Sequence, residues 1–566
     1  MRVEVHPING FTYEELGDGL VKVITRSGYG IFDWEGHWKE GSVHHADPHF
    51  LQYVGGPSLP PGFDMPASRA ATQVAERGDA EHGDGDAAAS TDGEAAASAY
   101  AGTLVDPRSR NLSRMYMTAA EPVVGKYVGD PGRLTPKGMR STGISFQELV
   151  AHDSHPERVP DTLKEDSPMP GGVTRVPVDR YFTQAAHDQE VEKLWKKVWQ
   201  FACREDDIPE VGDYIVYDVA HLSYLVVRTG SRQFKAYNNA CLHRGRQLRE
   251  FDGKCATEFR CPFHGWCWEV DGRLREIPSE WDFPEVRQSA DHLREAKVGL
   301  WGGFVFINPD PACESLESFM GNMPAHYERY DFDKRYKSMH VAKVIAANWK
   351  LVQEAFSEGY HVLATHPQLL LAGGDGANHD YNAFGNWCRA VTTAANSSPH
   401  RGIHEPEEEI FARRKAAADA TRDLLRPALA DKVDVYCDAE LVDGYYNNLF
   451  PNFHPWGAFS RIVYRFRPCG DDPGKSIMEV MYLVPWPEDQ PKPPAAPIHW
   501  LSLEEDFTHS PEMGPLARVL NQDLYNLPKM QVGLKAKVEP FVYLSAYAEG
   551  KVRHFNKLYD QWLADV

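Results

Sequence analysis

The sequence predicts an α+β protein with two folded regions behind an N-terminal extension, and three observations carry that expectation. After one leading helix, short strands punctuated by glycine turns fill residues 179–308, which is an all-β pattern. From residue 309 a helix with two histidines precedes long alternating strands and two closing helices, as when a curved antiparallel sheet grips a helix. Ahead of both regions, the composition shifts abruptly between positions 1 and 178.

A chain of 566 residues is long enough for two or three domains with sizeable cores. Its net charge of −21 argues against nucleic acid or an anionic membrane as partner, and it also serves solubility. The nine cysteines are odd in number and scattered, so they form no disulfide framework, and a reducing compartment is expected. The opening Met1-Arg2-Val3-Glu4-Val5-His6-Pro7 has no apolar signal core, and no later stretch reaches the length of a membrane span. A cytoplasmic location with no membrane contact follows as an expectation.

Residues 1–56 read as a small unit of short strands. Val21-Lys22-Val23-Ile24-Thr25 and Ile31-Phe32-Asp33-Trp34 flank a Gly28-Tyr29-Gly30 turn, and no chemistry can be assigned to them. Residues 57–102 are rich in Ala, Gly, Asp, Glu, Pro and Ser; they cannot bury enough surface to fold, so a flexible linker is expected. Residues 103–178 are irregular and read as an extended arm lying on another surface or on a neighbouring subunit. A helix over about residues 183–199 carries Val191, Leu194, Trp195, Val198 and Trp199 on one apolar stripe. Strands follow at Tyr214-Ile215-Val216-Tyr217, at Tyr224-Leu225-Val226-Val227-Arg228 and at Phe234-Lys235-Ala236-Tyr237. Residues 309–566 form the α+β region, with long strands around residues 461–466 and 476–483 and helices around 516–533 and 546–564.

Within the β region stand Cys241-Leu242-His243-Arg244-Gly245 and Cys261-Pro262-Phe263-His264-Gly265-Trp266. Two loops that each pair a thiolate with an imidazole suit an asymmetric 2Fe-2S centre. Cys241 and Cys261 would bind one iron, and His243 and His264 the other. A structural zinc site is the competing expectation, although zinc sites usually keep Cys pairs and His pairs separate.

Residues 348–367 carry His361, then His366-Pro367, with Glu354 and Glu358 upstream. At about 100° per residue, Glu354, Glu358 and His361 are expected on one helical face. His366 converges with His361 only if the helix ends or distorts between them, a break that Pro367 favours. Such a pair needs a third ligand from elsewhere. Asp523, in Leu520-Asn521-Gln522-Asp523-Leu524 on a helix with a buried Leu516, Leu520 and Leu527 side, is the preferred carboxylate. Asp506 is the runner-up, ahead of Glu504, Glu505 and Glu512.

The two Cys/His loops resemble those of the Rieske non-haem iron ring-hydroxylating oxygenases, and residues 178–566 resemble the terminal oxygenase (α) subunit of that family. A respiratory-type Rieske protein would carry a disulfide-forming cysteine in each loop. Here Leu242, Arg244 and Gly245 surround the first ligand pair, and Cys255 and Cys267 read as ordinary thiols. A small Rieske ferredoxin would lack the large domain that follows.

The resemblance implies an all-β Rieske domain and a helix-grip (START-like) catalytic domain. It also implies Fe(II) held by His361, His366 and Asp523 as a facial triad with positions left for dioxygen. Glu358 would bridge this site to a Rieske histidine of the next subunit, and Ala355 stands where many members carry Asn. Electrons would come ultimately from NAD(P)H through a separate reductase, with or without a ferredoxin, because the chain has no G-x-G-x-x-G after a strand and no P-loop. A homotrimer is implied, with or without a β subunit.

Three functions remain in view: hydroxylation or cis-dihydroxylation of a hydrophobic aromatic or polycyclic substrate, monooxygenation of a non-aromatic one, and a non-catalytic Rieske electron carrier. Leu369, Leu370, Leu371, Tyr381, Phe384, Trp387, Phe450, Phe453 and Trp456 are candidate pocket residues, with Gly373-Gly374-Asp375-Gly376 as a lid.

Overall fold

The structure, a computed structural model, describes residues 2–57, 144–168, 172–286, 291–371, 376, 379–396, 406–487 and 489–564. The expected linker beyond residue 57, the first part of the arm to residue 143, and lid residues 373–375 lie outside the described residues.

Six antiparallel strands make the sheet of the first region. Their spatial order is Gln200–Arg204, Phe304–Asn308, Glu295–Trp301, Gln233–Asn238, Leu222–Gly230 and Tyr214–Val219. Side chains alternate across a strand, and here both faces are buried. Tyr224 and Val226 enter the main core, while Leu225 and Val227 turn to a second core beneath a three-stranded sheet of Glu258–Arg260, Cys267–Glu269 and Leu274–Glu276. That second core, with Trp266, Trp268 and Phe259, supports both Cys/His loops.

The leading helix is shorter than its apolar stripe implies. Gln184–Glu190 is α-helical and Val191–Trp195 is a π turn. The chain must then straighten, because Gln200 and Phe201 pair with Ile307 and Phe306. Of the arm, Phe146–Ala151 is closed by a Ser145/Glu148 capping box. Phe146, Val150 and Leu163 join the main core, and Arg175–Pro177 pairs with Phe541–Tyr543. The described arm therefore lies on its own chain.

In the second region Arg335–Ile345, Ser476–Pro485 and Ile462–Pro468 lie together in a long sheet, antiparallel throughout except at its parallel edge strand His499–Leu501. Leu516–Ala536 packs on one face of it. Leu520, Leu527 and Leu534, spaced at every seventh position, pack on Met339, Val341, Met478 and Val480. Each buried leucine contributes about 1.5–3 kcal/mol, so this stripe fixes the face of the helix that Asp523 shares.

At the N-terminus, residues 2–57 hold a five-stranded antiparallel meander from Val3–Val5 to Trp38–Gly41, covered by the helix Pro48–Gly55. Tyr13, Val21, Val23 and Phe32 pack on Phe50, Leu51 and Val54. The expected turn moves by two positions. Thr25 pairs with Gly28, so Arg26-Ser27 is the turn and Gly28-Tyr29-Gly30 opens the next strand. Glycine suits position 30 because a Cβ there would meet the Val43 carbonyl at 2.1 Å. Among the described residues, no helix is long and apolar enough to cross a membrane.

Candidate metal centres

The two Cys/His loops share one backbone design. Cys241 N–H donates to Arg246 O (2.8 Å) and Gly245 N–H to Cys241 O (2.8 Å). In the second loop Cys261 N–H donates to Trp266 O (2.7 Å) and Gly265 N–H to Cys261 O (3.1 Å). Gly245 and Gly265 close these turns at φ of 76° and 79°, a left-handed conformation that glycine adopts at no steric cost. The loops bring the His243 and His264 rings to 4.5 Å and stack His243 on Trp266 at 5.2 Å. Cys241 and Cys261 lie within hydrogen-bond reach of each other. His243 Nδ1 is buried without a hydrogen-bond partner, which is the condition of a nitrogen free to ligate. The four residues fit a 2Fe-2S cluster. The thiols are buried and His264 is exposed, so the imidazole side faces the surface.

The histidine pair is built differently from the sequence expectation. Asn348 caps Trp349–Ala355 by accepting Lys350 N–H at 3.0 Å, and that helix ends at Phe356. A second short helix, Val362–Thr365, begins at His361 and ends at His366, just before Pro367. Glu354, Glu358 and His361 therefore do not share one helical face. Glu354 belongs to the first helix and accepts Tyr181 OH (2.9 Å) and Asn556 Nδ2 (2.9 Å). Burial pushes its carboxyl up to about 7. Gly359 sits in the break, where a Cβ would come within 2.2 Å of His379.

The second break brings the imidazoles together. His361 and His366 stand 5.2 Å apart between ring centroids, and with Asp523 their ligand atoms all lie within 4.8 Å of one another. Asp523 Oδ1 is 3.0 Å from His366 Nε2 and 3.5 Å from His361 Nε2. Hydrogen bonding settles which nitrogens are free. Glu358 Oε1 can only accept, so His361 donates from Nδ1 (2.6 Å). Gln522 donates Nε2 to the His49 carbonyl (3.0 Å), which turns its Oε1 to accept from His366 Nδ1 (2.8 Å).

Both Nε2 lone pairs thus face a carboxylate oxygen, a repulsive arrangement unless a proton or a cation lies between them. Donors about 2.1 Å from a metal, as in zinc–imidazole bonds, stand about 3 Å apart at right angles. The distances found here fit such a set. Burial disfavours a charged His361, but the Glu358 carboxylate outweighs it and raises this imidazole to about 9 in the metal-free chain. Glu358 Oε2 also accepts His361 N–H at 3.0 Å and the Tyr360 N–H.

Asp506 is not at this site. Its side chain caps the turn Phe507–His509 by accepting Thr508 N–H at 2.7 Å. Glu512 pairs with His499 at 2.6 Å and Glu505 accepts Ser502 N–H at 2.8 Å. Of the candidate pocket residues, Tyr381 and Trp456 join Tyr446 and Tyr547 in one aromatic cluster. Phe384, Trp387, Phe450 and Phe453 instead pack in the main core, Phe453 within 5.2 Å of Phe201, Phe304 and Phe306.

Residues 324–565 match the ring hydroxylating alpha subunit (catalytic domain) family, and residues 198–287 match the Rieske [2Fe-2S] domain family. The chain belongs to the Rieske ring-hydroxylating oxygenases. It is 32% identical over 202 residues to the anthranilate 1,2-dioxygenase large subunit of Acinetobacter baylyi, covering 34% of this chain and 43% of that one. It is 27% identical over 246 residues to the carnitine monooxygenase oxygenase subunit of Escherichia coli, covering 42% and 61%. The chain thus spans about half the length of the curated relatives it matches. The fold is shared with a quaternary ammonium Rieske monooxygenase (TM-score 0.51, 16% identity, 71% of this chain and 100% of that one). It is also shared with a naphthalene 1,2-dioxygenase bound to phenanthrene (TM-score 0.52, 18%, 70% and 94%). Membership in this family implies a Rieske cluster and a mononuclear iron.

Sequence reasoning missed Gln522, which accepts a hydrogen bond from His366 Nδ1, and Tyr464, whose phenol is close to Asp523. A signal for Gln522 exists. Asn521, Gln522 and Asp523 are three consecutive polar residues, all buried, between Leu520 and Leu527 of the helix's apolar stripe, and buried polar side chains need partners.

Proposed function

We propose that the chain is the terminal oxygenase component of a Rieske oxygenase system, with Cys241, His243, Cys261 and His264 holding the cluster and His361, His366 and Asp523 holding the mononuclear iron. One observation carries this reading: two Nε2 lone pairs and one carboxylate oxygen converge within 4.8 Å in a chain that also bears the paired Cys/His loops. Ferrous iron held there supplies a place where dioxygen is reduced with electrons drawn from the cluster and its oxygen passed to substrate.

The residues around it do the rest. Glu358 keeps the Nδ1 proton of His361 and raises that ring's basicity, and Gln522 holds the Nδ1 proton of His366 with a neutral acceptor. The exposed His264 and Phe263 (60% exposed) form the cluster's outward face. That face suits electron exchange with a separate reductase or ferredoxin and with the Glu358 side of a neighbouring subunit, as in a homotrimer.

For the substrate, Phe356, Tyr464, Trp456 and Tyr446 form a run of rings whose neighbours lie 5.2–6.2 Å apart. Tyr464 lies close to Asp523. Burial first, then Tyr482 and the Asp523 carboxylate, push its phenol up. Aromatic rings grouped in this way near Asp523 favour a planar aromatic or polycyclic substrate, which rings of this kind hold by stacking.

Cation–π binding of a quaternary ammonium substrate is the second reading, favoured by Trp456. Lys551 weighs against it, because its Nζ already lies 4.0 Å over Tyr446 and donates to the Tyr446 carbonyl (2.6 Å). The test is turnover with a surrogate reductase and labelled dioxygen on one panel of aromatic compounds and one of quaternary amines. Two labelled oxygens in an aromatic product indicate dihydroxylation, and one indicates monooxygenation. Turnover of the amines alone overturns the aromatic reading, and a chain that carries cluster iron but binds no third iron is an electron carrier.

A further inference from the structure

The N-terminal meander and its helix lie outside both family matches, yet that helix sits on the one that carries Asp523. Three kinds of contact hold it there. Gln52 Nε2 donates to the Asn521 carbonyl at 3.2 Å. The His49 ring meets Tyr525 edge-on at 5.5 Å. The Arg518 guanidinium lies 5.2 Å from the Tyr53 ring centre. The histidine-bearing segment is held as well, because Ile8 packs on Leu363 and Leu370 on either side of His366.

The decisive contact runs through one amide. The His49 carbonyl, in the first turn of the Pro48–Gly55 helix, accepts Gln522 Nε2 at 3.0 Å, and Gln522 Oε1 accepts His366 Nδ1 at 2.8 Å. The His49 carbonyl is itself fixed by the start of its helix. Asp47 caps that start, accepting His49 N–H (2.9 Å) and Phe50 N–H (3.2 Å), while its other oxygen holds His6 at 3.0 Å. Gly55 lets the helix seat closely on the meander, since a Cβ there would come within 2.3 Å of Val21.

We infer that the N-terminal unit, residues 2–57, is a built-in positioning unit for the mononuclear iron site, fixing through the Gln522 amide the tautomer and orientation of His366. Gln522 alone can rotate its amide, and Gln368 is at hand for either orientation: its Nε2 donates to Gln522 Oε1 at 2.7 Å and its Oε1 lies 3.3 Å from Gln522 Nε2. The His49 carbonyl removes that freedom, because it accepts and cannot donate. The unit therefore selects the amide orientation that leaves His366 Nε2 free toward Asp523. Partners of this kind are worth about 10–100-fold in metal affinity when lost.

The inference rests on His366 being an iron ligand, and the test separates the two claims. Full-length, cluster-bearing protein stripped of mononuclear iron is titrated anaerobically with ferrous iron alone, with cluster content read from visible absorbance. Gln522→Met should bind iron about 10–100-fold more weakly. Asp47→Ala, which removes the helix cap some distance from the metal, should weaken iron binding several-fold. Asp47→Asn, which keeps a capping oxygen, should restore it. Cluster content should stay constant throughout. Native iron affinity in Asp47→Ala overturns the inference, whatever Gln522→Met shows. If Asp47→Ala does not fold, native affinity in Gln522→Met overturns it and a loss of about 10–100-fold there sustains it. His366→Ala guards the premise: if that variant still binds iron natively, the ligand assignment itself has failed.

Discussion

Replacing Glu358 with Gln removes a charge and keeps the shape, and its consequence depends on pH in a way the geometry specifies. Glu358 Oε1 accepts His361 Nδ1–H at 2.6 Å, while Oε2 accepts the backbone N–H of Tyr360 and of His361. A hydrogen bond to a charged group contributes about 1.5–3 kcal/mol and a neutral one about 0.5–1.5, so neutralisation alone costs about 1 kcal/mol or more. The glutamine also turns an NH2 toward donors on one side or the other, which adds to that cost. At high pH iron should therefore bind about tenfold or more weakly, within the range known for such partners.

Protons compete for the same nitrogen. The metal-free His361 is raised to about 9, so below that pH iron must displace a proton and native affinity should climb about tenfold per pH unit. In Glu358→Gln the imidazole returns toward its ordinary 6.5, and the climb should flatten above that pH. Anaerobic ferrous iron titrations of cluster-bearing protein from about pH 6 to 8.5 read both slopes. Parallel slopes of equal height for the two proteins would refute the role given to Glu358.

Asp523→Ala should leave the Rieske absorbance intact while removing the third iron and turnover, and metal analysis that still finds it would reject Asp523 as ligand. Cys261→Ser should do the reverse, bleaching the cluster while the mononuclear site still takes up ferrous iron; loss of both metals together would mean that the two sites do not fold independently. Glu354→Gln probes the buried carboxyl raised from 4.5 to about 7. The folded state binds a proton there more tightly than the unfolded chain, so native stability should fall as pH rises from 4.5 to about 7, by at most about 3 kcal/mol. The variant should lose that slope in denaturant titrations, and an unchanged slope would show that Glu354 stays ionised in the folded protein.

Much of the candidate cluster site was legible because its proposed ligands are local. Each loop carries its own Cys, His and closing glycine in one short stretch, so spacing alone describes it. The histidine pair was legible for the same reason, yet its scaffold was misread. Helical periodicity predicts a face only while the helix lasts, and this helix stops at Phe356 because the following segment must pass Gly359 against His379. Glu354 is thereby carried away into a contact with Tyr181 and Asn556. Asp523 stands 157 residues from His366. The buried stripe of its helix sets the face but not the partner, and the family resemblance is what singles Asp523 out as the expected carboxylate. Phe450 and Phe453 show the limit of composition. An aromatic residue downstream of a metal motif enters the pocket or the core according to strand register, and register is not visible in one strand.

The least legible part was the role of the N-terminal unit. Its strands are evident from Val21 and Val23 alternating with Lys22, but a hydrophobic pattern states only that a face is buried, not against what. The docking depends on backbone carbonyls, those of His49 and Asn521, which every residue possesses and no sequence displays. The side chains that answer them, Gln522 and Gln52, are common on helix surfaces, where they are usually solvated. Gln522 departs from that habit because Asn521, Gln522 and Asp523 are buried in succession. About 100° separates consecutive residues on the helix, yet Gln522 and Asp523 both reach His366, one at Nδ1 and the other at Nε2. Two neighbours can do this only because the imidazole lies across the helix with its two nitrogens turned to different sides. One ring thereby ties the metal site to the N-terminal unit, and substitution at Gln522 should be felt in both.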